Sequence, residues 1–502
     1  MDRPPVRNNR YFSIRKRFTN TDNCQAWYRR FHLAIIDTFS EYTNRTKVSG
    51  MWLLRPKNTH GVSRWLWSTI LINLFLLGWF LSLQLWLKFY SYPILNTISS
   101  DLLITDVAFP GVTICSPKVV KSERVKRYIK ELYIPPEYDP SVVADGLQFI
   151  NAFTDQNWEP PNHTNSSVAD EVLRLNNVSI YQASLKLSAG CDDFVKGCFW
   201  GVTKFNCRQN HEYLSFIPTT SYLGPCCSFN YNPRNTSFVP FSSGIFGIDG
   251  GLTFIGVEGS TNSTGLIVLV HHPMDFTTEA AASVVITSKS ESFVEILPTV
   301  QSSSIDVLEL SQQKRDCLTS DDLELYNYRQ AACTLSCESE IMIKTCGCHP
   351  YHLPTVNKDK FMDKECKLRD TTCYSKNYDK FKSVRCNQCL PNCYDVTYST
   401  LSYKTDLELH NYSVSSMYSH RNFTEDTFIV RVYLAKQVVP SIRKVTVMSW
   451  ISLLADLGGV FNLCLGLSVV SLVEFFYYCT YRLYINYDKQ PLNRYMKLSG
   501  VL

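Results

Sequence analysis

The residues with the clearest chemistry lie in an apolar run near the C-terminus, residues 453–474. This run is long enough to cross a membrane, yet it contains two acids and a Gly-Leu-Ser step at 466–468. A charged group inside a membrane span is costly, so it usually faces a water-filled path or a partner in a helix bundle. At about 100° per residue, the small and polar residues fall within roughly one third of the helix circumference. This stripe, which predicts the wall of a pore, consists of Asp456, Gly459, Asn462, Gly466 and Glu474.

The step at 466–468 does not fit a straight helix, because Ser468 would lie on the side opposite to Asp456 and Glu474. Either the chain is extended at the step, or Ser468 faces a neighbouring helix, where small residues also serve close packing. We expect the span to be broken at this step.

A second membrane-length segment lies near the other end of the chain. Residues 65–87 contain no charge and are long enough to cross about 30 Å of hydrocarbon. Because 64 residues precede this segment, it is not a cleaved signal peptide. A buried core helix is the alternative for each span, but the length and purity of residues 65–87 favour a membrane span.

The distribution of charge predicts which side each terminus occupies. Residues 1–64 contain 13 Lys and Arg against 4 Asp and Glu, and Arg482, Lys489, Arg494 and Lys497 follow the second span. Positive charge favours the cytosolic side of a membrane, so both termini are predicted to be cytosolic in a two-pass plasma membrane protein. The net charge of +5 on 502 residues is too small to indicate a nucleic-acid partner.

Together with the cysteines and strand patterns described next, these observations predict an α+β membrane protein with two transmembrane helices flanking a large, disulfide-rich extracellular domain. The predicted segments are a cytosolic N-terminal segment (1–64), a first transmembrane helix (65–88), an extracellular domain (89–447), a pore-lining second transmembrane helix (448–481) and a cytosolic tail (482–502).

Cysteines and glycosylation sequons agree with this topology. Sixteen of the 19 cysteines lie between residues 115 and 393, which is typical of an oxidising compartment; Cys24, Cys464 and Cys479 lie in cytosolic or membrane positions. The sequon at Asn44 falls on the cytosolic side, where it should stay unmodified. The predicted glycosylation sites lie in the extracellular segment at Asn162, Asn165, Asn177, Asn235, Asn262, Asn411 and Asn422.

The extracellular segment shows alternating and β-branched runs that predict a central sheet, partly antiparallel, at residues 252–257, 265–270, 283–287 and 427–434. Residues 323–346 have helical spacing, which would place Cys333 and Cys337 on one helix face, where both can bridge to the same segment. A zinc site formed by the later Cys-x-Cys and Cys-x-x-Cys pairs with His349 and His352 is the alternative, but bridges are far commoner outside the cell.

At this point the chain resembles the degenerin/epithelial sodium channel/acid-sensing ion channel superfamily, most closely its insect pickpocket branch. The resemblance rests on several strings in order along the chain: Thr-His-Gly at 59–61, Phe-Pro-Gly-Val-Thr-Ile-Cys at 109–115, Cys-Cys-Ser-Phe-Asn at 226–230, residues 265–273, Tyr-Arg-Gln-Ala-Ala-Cys-Thr-Leu-Ser-Cys at 328–337, Cys-Gly-Cys at 346–348 and Gly-Leu-Ser at 466–468. Arg-Asp-Cys at 315–317 and the tail at 473–478 are similar to the pickpocket branch.

The resemblance implies a central β-sheet with peripheral helical lobes in a homo- or heterotrimeric, sodium-permeable and voltage-independent channel with a sensory or epithelial role. A channel of this kind needs no cofactor and is not an enzyme. Its expected partners are Na+, related subunits and the lipid bilayer, and no nucleic-acid partner is expected. By order along the chain, the resemblance also implies the pairs Cys115–Cys226, Cys191–Cys198, Cys207–Cys227, Cys317–Cys393, Cys333–Cys389, Cys337–Cys386, Cys346–Cys373 and Cys348–Cys366.

Roles for single residues follow from the same resemblance. The expected selectivity filter is Gly466, Leu467 and Ser468, with Asp456 at the outer mouth and Glu474 near the inner side. His60 and Gly61 match a cytosolic gating motif, and Ala455 matches a position that must stay small for the pore to close. Asn462 matches a position associated with amiloride block, and Tyr477 stands where relatives usually carry a second acid.

Three other interpretations remain at this level. A purinergic-type channel would share the two spans but should lack the Gly-Leu-Ser step and the string at 328–337. A two-span cysteine-rich receptor explains the bridges but not the acids in the second span. A non-conducting or modulatory subunit of a heteromeric channel also fits. The gating stimulus stays open between protons, ligands, osmotic change and mechanical load.

Overall fold

The computed structural model describes residues 20–54, 61–91, 93–155, 164–207, 215–233, 238–257, 265–323, 328–353, 365–407 and 423–489. The chain forms two compact units. Met1–Pro93 and Val447–Leu502 make up one, here called the terminal unit, and Ile94–Thr446 make up the other, the central unit.

The described helices, in chain order, are α1 (Asn20–Arg45), α2 (Gly61–Ser91), α3 (Ser122–Tyr128), α4 (Pro140–Leu147), α5 (Thr164–Leu175), α6 (Ile180–Leu187), α7 (Cys191–Phe194), α8 (Ile305–Leu308), α9 (Gln312–Arg315), α10 (Gln330–Cys346), α11 (Thr371–Lys376), α12 (Tyr378–Lys382), α13 (Trp450–Leu465), α14 (Val469–Tyr477) and α15 (Leu483–Asp488). A π-helical turn, Tyr478–Arg482, joins α14 to α15.

The described strands are β1 (Ile94–Leu103), β2 (Gly111–Cys115), β3 (Val195–Trp200), β4 (Thr203–Phe205), β5 (Ile217–Ser221), β6 (Gly224–Phe229), β7 (Leu252–Val257), β8 (Leu266–His271), β9 (Ala282–Ile286), β10 (Ser290–Ser303), β11 (Asp395–Asp406), β12 (Thr427–Leu434) and β13 (Val438–Thr446). Short 3-10 turns lie at Met51–Leu54, Ile104–Asp106, Gln148–Phe153, Ile248–Gly250, Ser320–Leu323 and Leu368–Asp370.

The terminal unit is helical. Its 31-residue helix α2 contains the predicted first span, and at 1.5 Å per residue it is long enough to cross a bilayer. Within the described part of the chain, α2 is the single helix that is long and apolar enough to span on its own. Residues 450–488 pass the same test as one broken span, bent by 73°.

Helices α2 and α13 pack closely where the side chains are small. A Cβ atom placed on Gly78 of α2 would lie 3.6 Å from Cys464 and 3.7 Å from Phe461 of α13. Glycine thus lets the two backbones approach, as small residues do between membrane helices. Just after the end of α2 and just before the start of α13, the amide of Val447 donates to the carbonyl of Pro93 at 2.9 Å.

The central unit contains two sheets. The larger has eight strands in the order β1-β13-β10-β12-β7-β3-β4, with β11 also paired to β10. Strand β10 runs parallel to β12 and β13 but antiparallel to β11, so the sheet is mixed, as predicted. The smaller sheet is antiparallel in the order β5-β6-β2-β8-β9. The predicted strands at 252–257 and 427–434 have the bounds of β7 and β12, and the other two are displaced by one residue.

Two apolar clusters hold this unit together. The first cluster is formed mainly by side chains from the strands of both sheets and includes Phe109, Phe254 and Val430. The second lies among the helices α3–α6 and α10–α12 and includes Leu147 and Phe381. Each buried side chain of this size contributes roughly 1.5–3 kcal/mol relative to exposure. The expected peripheral helical lobe therefore has a core of its own.

Eight disulfides cross-link the central unit. Six follow the expected pairs: Cys115–Cys226, Cys317–Cys393, Cys333–Cys389, Cys337–Cys386, Cys346–Cys373 and Cys348–Cys366. Both Cys333 and Cys337 lie on α10 and bridge to the segment before β11. All four cysteines of the alternative zinc site are thus in bridges, and the described residues contain no group of three metal-binding side chains.

Two expected pairs were wrong. The structure joins Cys191 to Cys227 and Cys198 to Cys207, in place of Cys191–Cys198 and Cys207–Cys227. The reason is strand register: the β3–β4 hairpin sets Cys198 opposite Phe205, two residues before Cys207. An extended strand rises about 3.3 Å per residue, so β3 carries Cys198 away from Cys191. Order along the chain does not contain this information.

Two of the predicted glycosylation sites fall on described residues. Asn177 is exposed in a left-handed turn after α5, where an enzyme can reach it. Asn165 lies in the first turn of α5 and is half-buried. The remaining predicted sites, at Asn162, Asn235, Asn262, Asn411 and Asn422, lie outside the described residues.

Candidate functional site at the broken second span

The apolar run near the C-terminus breaks at residues 466–468, the step that its sequence marks. Helix α13 ends at Leu465, and Gly466 adopts φ 62° and ψ 30°, the left-handed conformation that glycine takes without strain. The Gly466 amide donates to the carbonyl of Asn462 at 2.8 Å, which closes a left-handed helix cap. A residue with a Cβ would be strained at this position, so the glycine fixes where α13 stops.

Ser468 then starts the next helix. Its backbone is extended, with φ −118° and ψ 167°. Its Oγ accepts from the amide of Ser471 at 3.3 Å, and Ser471 Oγ accepts from the amide of Ser468 at 3.4 Å. These two bonds form a capping box at the start of α14. The predicted break is confirmed, and of the two alternatives the chain takes the extended one.

The polar stripe lies on the uncovered side of α13. Asp456, Gly459 and Asn462 are exposed, whereas Leu453 and Leu465 are buried. Because Phe461 and Cys464 face α2, the stripe points away from that helix. Ala455, next to Asp456, is exposed as well. The terminal unit of one chain thus leaves its acid-bearing stripe free for water, ions or another subunit.

Glu474 is in a different environment from Asp456. It lies in α14, is half-buried, and its Oε2 atom has no hydrogen-bond partner among the described residues. Tyr477, three residues later, is exposed. An acid with a free acceptor atom inside a membrane span is costly unless a cation or water reaches it.

A contact that sequence reasoning missed lies beneath the break. The amide of Ser49 donates to the carbonyl of Leu465 at 3.0 Å, and a Cβ atom on Gly466 would fall against Ser49 Oγ. The neighbouring Gly50 has a φ of 82° and packs against Leu71 of α2. A Ser-Gly pair marks a turn, and this was the available signal. Gly61, by contrast, starts α2, and a Cβ atom placed on it would have none of the described residues within 4 Å; His60 lies outside the described residues.

Helix α1 also contacts the π-helical turn and α15, which follow the break. Arg482 donates from Nε and Nη2 to the two oxygens of Glu41, at 2.8 and 2.5 Å. Asn486 of α15 donates to Thr38 Oγ1 at 3.0 Å. The ring of Tyr42 meets that of Tyr478, with 5.4 Å between centroids. The segment before the first span is thus tied to both the break and the helix that follows it.

The break can serve a cation for a simple electrostatic reason. The last four carbonyls of a helix have no partner within that helix, and this end carries partial negative charge. At α13 the carbonyls of Asn462 and Leu465 are held by Gly466 and Ser49, so their orientation is fixed. At the start of α14, the hydroxyl groups of Ser468 and Ser471 accept hydrogen bonds from two backbone amides. Each of these carbonyl oxygens keeps a second lone pair, and carbonyl oxygens held in place in this way can replace part of the water shell of a cation.

Comparison with known proteins agrees with this chemistry. The family model described as "Amiloride-sensitive sodium channel" matches residues 42–478. The chain is similar to sodium channel protein Nach of Drosophila ananassae, with 24% identity over 468 residues that cover 90% of this chain and 88% of the relative. It is also similar to pickpocket protein 11 of Drosophila melanogaster, with 22% identity over 298 residues covering 57% and 54% of the two chains.

Two further likenesses extend this list. Degenerin del-1 of Caenorhabditis elegans is 24% identical over 327 residues, which cover 59% of this chain and 46% of that protein. A cryo-EM structure of a proton-activated chloride channel covers 82% of this chain and 95% of that chain at 7% identity, and its TM-score of 0.29 is too low to carry an argument. The expected resemblance, including its pickpocket branch, is confirmed.

Proposed function

This chain belongs to the amiloride-sensitive sodium channel family, a family of membrane ion channels and not of enzymes, and we propose that it is a subunit of a trimeric, sodium-permeable, voltage-independent pore. The second span of each subunit lines this pore, with the filter at Gly466, Leu467 and Ser468. The related subunits are copies of this chain or of similar chains, and the role is sensory or epithelial.

The observation that supports this proposal best is that both helix ends at the break in the second span are capped. A span broken merely by poor packing would leave helix ends open, whereas Gly466 and Ser468 close both ends with defined caps. The Ser49 amide adds a third support from a distant part of the chain. Non-helical backbone within a membrane is tolerated where it is buried in protein or lines a cavity.

Single residues take the following proposed roles. Three copies of Asp456 concentrate cations at the outer mouth, and three copies of Glu474 attract them near the inner side. Ala455 must stay small for the pore to close, and His60 with Gly61 belongs to the gating segment. Asn462 occupies the amiloride position, and its amide is exposed on α13.

The proposed topology has both termini in the cytosol and the central unit outside the plasma membrane. The basic segment before α2 supports the first part. The eight disulfides and the exposed sequon at Asn177 support the second, since both modifications belong to oxidising, secretory compartments.

Recording from the chain expressed alone tests the proposal. Ala455→Val should hold the pore open and give a constant current that is larger in sodium than in potassium. In that background Ser468→Ala should shift the reversal potential, whereas Ser452→Ala, at the start of α13, should not. Amiloride applied to the same cells tests Asn462.

Absence of current from surface-expressed Ala455→Val would contradict a homomeric pore and favour a non-conducting or modulatory subunit. An unchanged reversal potential in Ser468→Ala would remove Ser468 from the filter while leaving the pore itself in place.

A further inference from the structure

Helix α1 has one face that packs within the terminal unit. Ala34 and Thr38 on this face are buried, and Thr38 Oγ1 accepts from Asn486 of α15 at 3.0 Å. Glu41 pairs with Arg482 from the same side of the helix. At about 100° per residue, these three residues of α1 lie within an arc of about 60°. This packed face holds α1 against the turn and the helix that follow the break.

A second face of α1 is apolar and exposed. Ile35, Ile36 and Phe39 are 42%, 49% and 52% exposed, and Tyr28 is 64% exposed. Together with the exposed ring of His32, these side chains recur at helical spacing and cover an arc of about 100°. Single exposed apolar residues are ordinary, but a continuous apolar stripe over three turns of a helix marks an interaction surface. We call this stripe the apolar face.

The third face of α1 is polar. Asp37, Ser40 and Asn44 are exposed and lie within an arc of about 60°. The centres of the packed, apolar and polar faces are separated from one another by roughly 100–140° around the helix. Helix α1 is thus held along one side, with an apolar flank and a polar flank. This pattern is typical of a helix at a boundary between hydrocarbon and water.

The neighbours of α1 place it near such a boundary. The rings of Tyr42 and Tyr478 lie 5.4 Å apart, and the guanidinium of Arg30 lies 5.3 Å from the ring of Tyr487. Helix α1 therefore runs antiparallel to the segment that follows the break. That segment is bent by 73° relative to α13. With α13 across the bilayer, as proposed, the bend turns this segment, and α1 beside it, towards the plane of the inner membrane surface.

The charge of the N-terminal segment suits an anionic surface. Residues 1–30 contain eight Lys and Arg against two Asp and Glu. Anionic lipids of the cytosolic leaflet attract basic segments that lie next to a membrane span. A second copy of this chain would bring the same positive charge to a contact between two α1 helices, and like charges across an interface disfavour pairing. A lipid surface therefore fits the apolar face better than another α1 helix does.

We propose that α1 is an interfacial helix whose apolar face inserts into the inner leaflet of a bilayer that contains anionic lipids. Helices of this kind bury the apolar face about 5–10 Å into the boundary between headgroups and acyl chains. Tyr28 and His32 suit this boundary, because each combines a ring with a polar atom that can stay hydrated. Part of the segment predicted to be cytosolic is thus attached to the membrane. The inference rests on the proposed topology but not on conduction.

Spin labels on the full-length chain, reconstituted in vesicles of phosphatidylcholine and phosphatidylserine, test this proposal. The cysteines outside residues 115–393, Cys24, Cys464 and Cys479, are first changed to serine. One label is then attached through Phe39→Cys on the apolar face, or through Ser40→Cys on the polar face as the matched control. Collisions with oxygen report hydrocarbon, and collisions with a water-soluble nickel chelate report water. The ratio of oxygen to nickel collisions should be several-fold higher at residue 39 than at residue 40.

A second substitution tests whether the apolar face itself holds the helix in the bilayer. With the label at Phe39→Cys, Ile35→Glu should lower the ratio towards that of residue 40, because a carboxylate on the apolar face opposes insertion. Asn44→Glu adds the same charge on the polar face and should leave the ratio unchanged. An unaltered ratio in Ile35→Glu would contradict insertion through this face.

Equal ratios at residues 39 and 40 would overturn the proposal. Low collision rates with both reagents at residue 39 would overturn it too, and would show that protein, such as a second copy, covers the apolar face. A label at Leu76→Cys in α2, which should report hydrocarbon, separates the proposal from the topology. Water at residue 76 would contradict the first span and the inference with it, whereas water at residue 39 alone would contradict only the interfacial helix.

Discussion

The two units of this protein bury apolar surface in opposite ways. In the central unit the large apolar side chains lie inside, in two clusters closed by eight disulfides. In the terminal unit they lie outside: Trp65, Trp79 and Leu463 are 76%, 61% and 86% exposed. Exposure of so much apolar surface to water is unfavourable, whereas contact of the same surface with the hydrocarbon of a bilayer is favourable.

Polar groups show the complementary difference. The central unit holds its buried charges in compact sets, such as Arg329 between two aspartates and Arg431 against Glu291 at 2.6 Å. The described polar contacts of the terminal unit are concentrated at the break and on the inner helices, as at Ser468 and Glu41. The same two requirements, apolar contact and satisfied polar groups, thus give different architectures in different solvents.

The largest expected effect comes from removing a long-range bridge of the central unit. Cys115 and Cys226 are 111 residues apart, so replacing both with alanine should destabilise that unit by about 4–5 kcal/mol, chiefly by freeing the unfolded chain. Thermal unfolding and protease resistance measure the loss. The control is Cys464→Ser in the terminal unit, a free thiol that should matter little. If both variants lost the same unfolding free energy, the bridge would not be a special source of stability for the central unit.

The next effect is a dependence of central-unit stability on pH. His271 has an unfolded pKa near 6.5, and burial lowers its folded pKa to about 4. Below pH 6.5 the unfolded state binds a proton that the folded state does not, so stability falls with decreasing pH down to about pH 4. The slope is about 1.4 kcal/mol per pH unit for one group, or about 3 kcal/mol in all.

Unfolding measured between pH 7 and pH 4 checks this slope. His271→Asn should make it shallower, whereas His32→Asn, on the exposed face of α1, should leave it unaltered. An identical slope in His271→Asn and the parent chain would mean that other groups govern the acid sensitivity.

A smaller effect tests the break in the terminal unit. Gly466→Ala places a Cβ in a left-handed conformation and against Ser49, which should cost about 1–2 kcal/mol. Gly458→Ala is the matched control, since Gly458 lies within α13 with open space around it and should be neutral or stabilising. Melting of the chain in detergent gives both values. If Gly458→Ala proved the more harmful, the cap at Gly466 would lose its importance.

The smallest effect concerns the pair of Glu41 with Arg482. Both side chains are partly exposed, so solvent screening reduces the strength of the pair. A double-mutant cycle with Glu41→Gln and Arg482→Gln should give a coupling below any effect above, yet larger than that of the exposed neighbours Glu171 and Arg174. A coupling of zero would leave α1 held by its apolar contacts alone.

Much of this organisation could be predicted from the sequence. The apolar segments at 65–87 and 453–474, the strands β7 and β12, and the break at Gly466 follow from local composition and helix geometry, which depend on neighbouring residues only. Helical spacing predicted that Cys333 and Cys337 share one face of α10, and the family resemblance supplied their partners. The glycine cap was predictable because few residues other than glycine take a left-handed conformation.

The tertiary structure decided what depends on distant residues. The sequence indicated a break at residues 466–468, with packing against a neighbouring helix as the alternative, and it indicated bridges in the region of 16 cysteines. Only the fold determined that Cys191 meets Cys227, because strand register and not chain order brings sulfurs together. Only the fold placed Ser49 beneath Leu465 and brought Arg329 between Asp275 and Asp395. Contacts between residues far apart in sequence depend on the packing of the whole unit, so local sequence patterns do not predict them.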